Sequence, residues 1–310
     1  MKQIGHVVGI LVALVGLGFV VRELVRNSED VLLAVSGADP WVLFAAVMLG
    51  LASMTSIGLA WRRCLANFGV ERPILTTLRS YFVGQLGKYV PGGIWPVVGR
   101  AEMARRDGVG GVAAYGSTVL SMVLTYLAAI LTALGAFLAQ ASDDSSAWWW
   151  PILGLLPLGV FALHPFFMGR GLAILQRVTR RELDLPLPSW GTSVLLLLRH
   201  VPAWLGIGGA TWLVAYTLDS GVPDFRNLLF ATSLSWVVGF IAIGVPGGIG
   251  VREAIFLATA TSLSSAGVAA AVTVLARILF LGVDLSGALI ATLVGRRHSD
   301  DATARQHDDR

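Results

Sequence analysis

Two stretches of the chain combine residue types that could bind a ligand. Residues 80–94 read Ser-Tyr-Phe-Val-Gly-Gln-Leu-Gly-Lys-Tyr-Val-Pro-Gly-Gly-Ile, and residues 235–249 read Ser-Trp-Val-Val-Gly-Phe-Ile-Ala-Ile-Gly-Val-Pro-Gly-Gly-Ile. Eight of the fifteen positions are identical at a constant offset of 155 residues, the distance from Pro91 to Pro246. Proline fixes φ and has no N–H, while paired glycines admit positive φ and close approach of a ligand. A helix that starts beyond such a break leaves its first N–H groups unpaired, and with the helix dipole these attract an anion. Trp95-Pro96 fits a helix start, because proline is accommodated in the first turn. Phosphate is the anion that a bilayer supplies.

Charged residues flank both breaks. Lys88 precedes Pro91-Gly92-Gly93, and Arg100 and Glu102 follow it; Arg252 and Glu253 follow Pro246-Gly247-Gly248. In the last apolar run, Arg277 and Asp284 are seven residues apart, two helical turns, and so share a face. A charge deep in a span costs at least about 2.5–3.5 kcal/mol on insertion scales, so Arg277 is expected to face the interior with a partner. The candidate substrate-binding set is therefore Lys88, Pro91, Gly92, Gly93, Arg100, Pro246, Gly247, Gly248, Arg252, Glu253, Arg277 and Asp284. A purely structural pairing of Arg277 with Glu253 or Asp284 stands beside it. Positive-inside placement alone would also account for Lys88 and Arg100.

The elements that must position these residues are apolar. Of 310 residues, 55% are hydrophobic and 14% charged, the mean hydropathy is +0.73 and the net charge is +4. Soluble domains run nearer a quarter charged, so this composition excludes a disordered chain, a nucleic-acid module and most soluble enzymes. Spans of roughly 20 apolar residues are expected at 4–21, 41–61, 112–139, 148–168, 192–217 and 267–294. The first, followed by Arg22, Glu23 and Arg26 with no small-residue cleavage site, reads as an uncleaved span. Trp148-Trp149-Trp150 reads as an interfacial anchor. The segments 62–110 and 226–264 each hold one Pro-Gly-Gly break and read as paired half-helices.

With the N-terminus in the cytoplasm, 17 of the 23 basic residues fall in 1–3, 62–110, 169–190 and 295–310. That is a positive-inside pattern with both termini cytoplasmic. It makes the two breaks enter from opposite sides, the signature of inverted repeats whose broken helices meet near the midplane. The expected fold is an all-α polytopic membrane protein with about six transmembrane helices and two re-entrant hairpins. It forms one domain over 1–295, with halves at roughly 41–139 and 192–294, and a polar cytoplasmic tail at 296–310. Residues 170–183 form an amphipathic segment suited to the inner leaflet. Arg199 reads as an interfacial snorkelling residue and His200 as a packed one.

No zincin, nucleophile-elbow or P-loop motif occurs, so no enzyme activity is expected. The five histidines lack ligand spacing, and Cys64 is the sole cysteine, so neither a metal, a cofactor nor a disulfide is expected.

Residues 86–95 with Val98-Gly99-Arg100, and more specifically Val245-Pro246-Gly247-Gly248-Ile249-Gly250-Val251-Arg252-Glu253-Ala254, resemble motifs of the lysylphosphatidylglycerol synthetase transmembrane-region family. The resemblance covers roughly 5–295, and Arg277 fits the same pattern. It implies a multi-pass membrane protein of the bacterial or archaeal cytoplasmic membrane. In two-domain members this region moves an aminoacylated phospholipid between leaflets, while a separate soluble domain makes that lipid. The chain stops after a short tail, so the synthase domain is expected to be absent and the lipid is left open. The expected function is a flippase or scramblase for a phospholipid or lipid-linked headgroup. A secondary transporter of a small hydrophilic solute, and a non-transporting subunit of a lipid- or glycan-modifying system, remain open alternatives. The expected partners are membrane lipids with phosphate-bearing headgroups, with no nucleic acid. A homo-oligomer or a lipid-modifying partner enzyme also stays open.

Overall fold

The computed structural model describes residues 36–89, 94–141, 161, 163–179, 185–242, 248 and 250–308. Among these residues every regular element is helical: α1 (Pro40–Asn67), α2 (Ile74–Gln85), a 3-10 turn (Leu86–Tyr89), α3 (Trp95–Arg106), α4 (Gly111–Ala141), α5 (Pro165–Thr179), α6 (Trp190–Leu198), α7 (Val201–Leu218), α8 (Phe225–Ile241), α9 (Val251–Thr259) and α10 (Ala266–Asp308). Four of the described stretches are long and apolar enough to cross a membrane: Pro40–Asn67, Gly111–Gln140, Trp190–Leu218 and Ala266–Val294. They contain the expected spans at 41–61, 112–139, 192–217 and 267–294. The expected span at 4–21, the tryptophan anchor at 148–150 and most of 148–168 lie outside the described residues. The amphipathic segment is helical through Thr179, beginning earlier than expected at Pro165, and its residues 180–183 also lie outside. The polar tail continues α10 as helix to Asp308.

The third span is not one helix. Pro202 has no N–H to donate to the Leu198 carbonyl and its ring crowds that group, so α6 stops at Leu198 and α7 restarts at Val201, with proline in its first turn. His200 at the joint is fully buried, with Nδ1 2.8 Å from Leu196 O and Nε2 3.3 Å from Ser121 Oγ. Its place is a packing place, as the sequence suggests. Arg199 is half-buried.

Each Pro-Gly-Gly segment separates short helices. The 12-residue α2 and α3 are each about 18 Å long, and the 9-residue α9 about 14 Å, against a hydrocarbon core of about 30 Å. None of these crosses alone. Helix starts recur with the sequence repeat: α4 begins at Gly111 and α10 at Ala266, 155 residues apart like the two prolines.

Helices at corresponding positions run in opposite directions. The Asp39 N–H at the start of α1 donates to Thr217 Oγ1 at the end of α7 (2.6 Å), while Asn67 Nδ2 at the end of α1 donates to Pro186 O ahead of α6 (3.4 Å). These two helices approach closely because α7 offers glycines there. A Cβ on Gly209 would lie 3.0 Å from Leu49 Cδ2, the small-residue contact on which helix association in lipid relies.

One end of the bundle is then tied by Asn227, whose Nδ2 donates to Gln140 Oε1 and to Thr259 O (3.1 Å each), and by the Ser264 N–H donating to Asp219 Oδ2 (3.0 Å). Aspartates cap the helices that start here. Asp39 Oδ1 accepts from Trp41 N–H and Asp224 Oδ1 from Arg226 N–H, both at 2.7 Å. The Arg226 guanidinium, hydrogen-bonded to Asp224, holds that carboxyl below its ordinary range. The opposite end carries Arg62, Arg63, Arg72, Arg79, Arg105 and Arg106. There Asp107, just after α3, pairs with Arg72 and, at 3.5 Å, with Arg79 on α2, clasping the two short helices together.

This sorting of ends makes the topology testable. Cysteines introduced at exposed Arg106 and Gly221 should react from opposite faces of intact cells, Gly221→Cys with an impermeant maleimide outside and Arg106→Cys only after permeabilisation. Native Cys64 is fully buried and should stay silent in both conditions, so its lack of labelling carries no topological information.

Candidate functional site

Both broken segments line one cavity. It encloses about 500 Å³, and its wall includes Tyr81, Gln85, Lys88 and Arg100 from the first segment and Trp236, Gly239, Gly248 and Arg252 from the second. Tyr126 of α4 and Trp204 of α7 complete it, amid apolar side chains such as Met54, Ile57 and Ile207. The Tyr126 ring stacks on Phe240 at 3.8 Å, and Trp204 packs edge-on against Trp236 at 5.7 Å.

Within each segment the helix after the break lays an arginine over an aromatic ring of the helix before it. Arg100 of α3 lies over Tyr81 of α2 with its guanidinium carbon 4.5 Å from the ring centroid, and Arg252 of α9 lies over Trp236 of α8 at 3.7 Å. Tyr81 and Trp236 are 155 residues apart, equivalent positions of the repeat. Three residues further along each helix stands a glycine, Gly84 and Gly239, again equivalent. A Cβ on Gly84 would lie 2.6 Å from the backbone nitrogen of Arg100, and one on Gly239 would run into the Arg252 side chain. The missing side chains are what let the helix pairs close and the arginines reach their rings. Gly248 adds to this in the second segment. Its φ is +66°, and a Cβ there would lie 2.9 Å from Gly239 Cα, a backbone state that glycine adopts without steric cost.

The remaining charges are spoken for. The Lys88 ammonium is 2.5 Å from Asp284 Oδ2, and Tyr89 Oη donates to the same oxygen at 2.6 Å. Arg277 pairs with Glu253, whose other carboxylate oxygen accepts the Gly250 N–H at 2.5 Å. Arg277 and Asp284 thus face the interior, as their spacing suggests, but do not pair with each other. Seven residues of helix separate them by about 10 Å of depth, and each meets a different segment. The N-terminus of α9, which the sequence aims at a substrate anion, is filled by its own Glu253. The Arg277–Glu253 pair lines a small adjoining chamber of about 30 Å³ with Thr211, Thr232 and Thr273, on the far side of Arg252 and Trp236, which line both spaces, and this is the helix-fixing arrangement that the sequence also allows. Pro91, Gly92, Gly93, Pro246 and Gly247 lie outside the described residues.

Arg100 and Arg252 differ from Lys88 and Arg277 in having no carboxylate partner among the described residues. Arg100 is buried, donates through Nη2 to the neutral Gln85 Oε1 at 2.8 Å and keeps an unpartnered Nε. Arg252 rests on Trp236 beside the cavity. A guanidinium with free donors can take two phosphate oxygens in a fork. Tyr81, Gly84, Gln85, Tyr126, Trp236 and Gly239 were not singled out from the sequence as site residues. The repeat does carry a signal for four of them, the identical Gly84/Gly239 and the aromatic Tyr81/Trp236. It hides the arginines, which are 152 residues apart rather than 155. Among the described residues no three His, Cys, Asp or Glu side chains gather as metal ligands would.

Antiparallel apolar helices around a cavity built from two broken segments define a polytopic helical membrane protein. The chain belongs to the family described as "Lysylphosphatidylglycerol synthase TM region", which matches residues 6–286. It is similar to "Inner membrane protein YbhN" of Escherichia coli (strain K12), 29% identical over 192 residues. That similarity covers 58% of this chain and 58% of the relative.

The two glycines should separate stability from binding. Gly84→Ala meets backbone and should lower stability by about 1–3 kcal/mol, seen as a lower melting temperature of the purified protein. Gly239→Ala meets the Arg252 side chain, and should weaken anion binding more than it lowers the melting temperature. Arg277→Ala would leave Glu253 buried without its cation, and should cost about 3 kcal/mol by the same melting assay.

Proposed function

We propose that the protein moves a lipid with a phosphate-bearing headgroup between leaflets, as a flippase or scramblase, through the cavity between its two broken segments. The observation that carries this reading is Arg252, a guanidinium without a carboxylate partner among the described residues, on a cavity wall shared by both segments. The head would sit against Arg252 and Arg100, while the apolar remainder of the wall suits acyl chains better than a hydrophilic solute. The antiparallel course of corresponding helices supports an inverted repeat with two re-entrant hairpins, the architecture from which alternating access is built. The relative's name and the basic residues gathered at one end support placement in the cytoplasmic membrane with that end inside. Lys88–Asp284 would serve as a clamp between the two halves, and Arg277–Glu253 as one within the second half beside the cavity.

Fluorescent-lipid translocation in proteoliposomes tests this. Wild type should move lipid. Arg252→Lys, which keeps the charge and loses the planar fork, should slow it about tenfold, the effect of about 1.4 kcal/mol, and Arg252→Ala should slow it further. Equal rates in all three would remove Arg252 from the site. Uptake of a soluble anion without lipid movement would identify a solute transporter, and movement of neither would leave a non-transporting subunit.

A further inference from the structure

The charge balance of the cavity specifies its ligand more narrowly. Four cationic side chains lie at or beside it, and two are neutralised in place, Lys88 by Asp284 and Arg277 by Glu253. Arg100 and Arg252 form no ion pair among the described residues, the Glu253 carboxylate beside Arg252 being taken by Arg277, and the connecting stretches 90–93 and 243–247 contain no ionisable side chain. Each stands on its ring, Tyr81 or Trp236, at repeat-equivalent positions, so the cavity holds two similar cationic platforms rather than one. The first is a built site. Arg100 is 6% exposed, lines the cavity and has a buried Nε with no partner.

Aromatic faces and the Gln85 carbonyl stabilise a guanidinium without cancelling its charge. Two positive charges in apolar surroundings therefore await two negative ones. We infer that the ligand of this cavity carries two negative charges on its head, as a phosphate monoester or a diphosphate does, and that Arg100 and Arg252 each take part of that charge. This rests on the proposed headgroup site. A phosphodiester such as phosphatidylglycerol brings one negative charge and leaves one arginine unmatched. A zwitterionic head adds an ammonium to a wall that is already cationic. A lysylated head, with net positive charge, offers the pair less still. The same doubly charged phosphate also occurs on free phosphate esters.

Binding to the purified full chain decides between these possibilities. Phosphatidic acid, phosphatidylglycerol and phosphatidylethanolamine with identical acyl chains should be compared at about pH 8, where a phosphate monoester carries more negative charge than a phosphodiester. Phosphatidic acid should bind at least about tenfold tighter than phosphatidylglycerol, the scale of one added charge-assisted contact. Phosphatidylethanolamine should bind weakest. Arg100→Gln and Arg252→Gln should each cut phosphatidic acid affinity about tenfold and leave phosphatidylglycerol within about threefold, so that the preference collapses. Glycerol 3-phosphate should compete only weakly if the ligand is a lipid, and competition equal to that of phosphatidic acid would overturn the lipid source. Equal wild-type affinity for phosphatidic acid and phosphatidylglycerol would overturn the two-charge inference. So would parallel loss of both lipids in the variants. The wild-type series decides the question by itself if a variant does not fold. Failure of every phosphate-bearing lipid to bind would instead defeat the headgroup site on which the inference rests.

Discussion

A guanidinium that enters apolar surroundings without a carboxylate has to be stabilised by something that leaves its charge available. In this protein that something is an aromatic face. Arg252 over Trp236 and Arg100 over Tyr81 are the contacts around which the two broken segments are arranged. Insertion scales put a centred arginine at about 2.5–3.5 kcal/mol, and a desolvated cation–π contact recovers about 2 kcal/mol. The remainder is small enough for the fold to carry and leaves each arginine able to bind an anion. The close helix pairing follows from this need. A side chain at Gly84 would strike the α3 backbone, and one at Gly239 would displace Arg252 from its ring.

The other buried charges follow a different rule. Asp284 is fully buried and takes both the Lys88 ammonium and the Tyr89 hydroxyl, and Glu253 takes Arg277 and the first free N–H of its own helix. Breaking such a pair strands a charge, so these contacts resist separation of the elements they join. Lys88 and Tyr89 belong to the first segment and Asp284 to α10, so one of these contacts links the two halves. Neutral pairs hold the cavity, and unneutralised arginines line it. That division separates the residues that fix the architecture from those proposed to meet a headgroup.

The two ends of the bundle show the same economy of charge. Aspartates start α1 and α8 at one end, where carboxylates cap exposed N–H groups. Arginines gather at the other, with Asp107 clasping α2 to α3. The arginines gathered at this end also fasten one broken segment.

Much of this was legible without coordinates because it depends on local composition. Four apolar runs long enough to span, the two breaks, the 155-residue repeat and the segregation of basic residues are properties of the chain in order, and a bilayer imposes the apolar length on any helix that spans it. Helical spacing likewise turned Arg277 and Asp284 inward. What the sequence could not decide was which segments meet. A shared helix face fixes a direction but not the neighbour found along it. Of the two acids the sequence offers Arg277, packing selects Glu253, and Asp284 goes to Lys88 with Tyr89. The helix end that looked open to an anion is closed by the carboxylate three residues beyond it. Tyr81 and Trp236 looked like ordinary apolar-helix aromatics, and their arginines sit out of register in the repeat. Only the packing of α2 on α3 and of α8 on α9, made possible by absent side chains, brings each cation to its ring and leaves it unpaired, because charge compensation is settled by three-dimensional proximity and not by order along the chain.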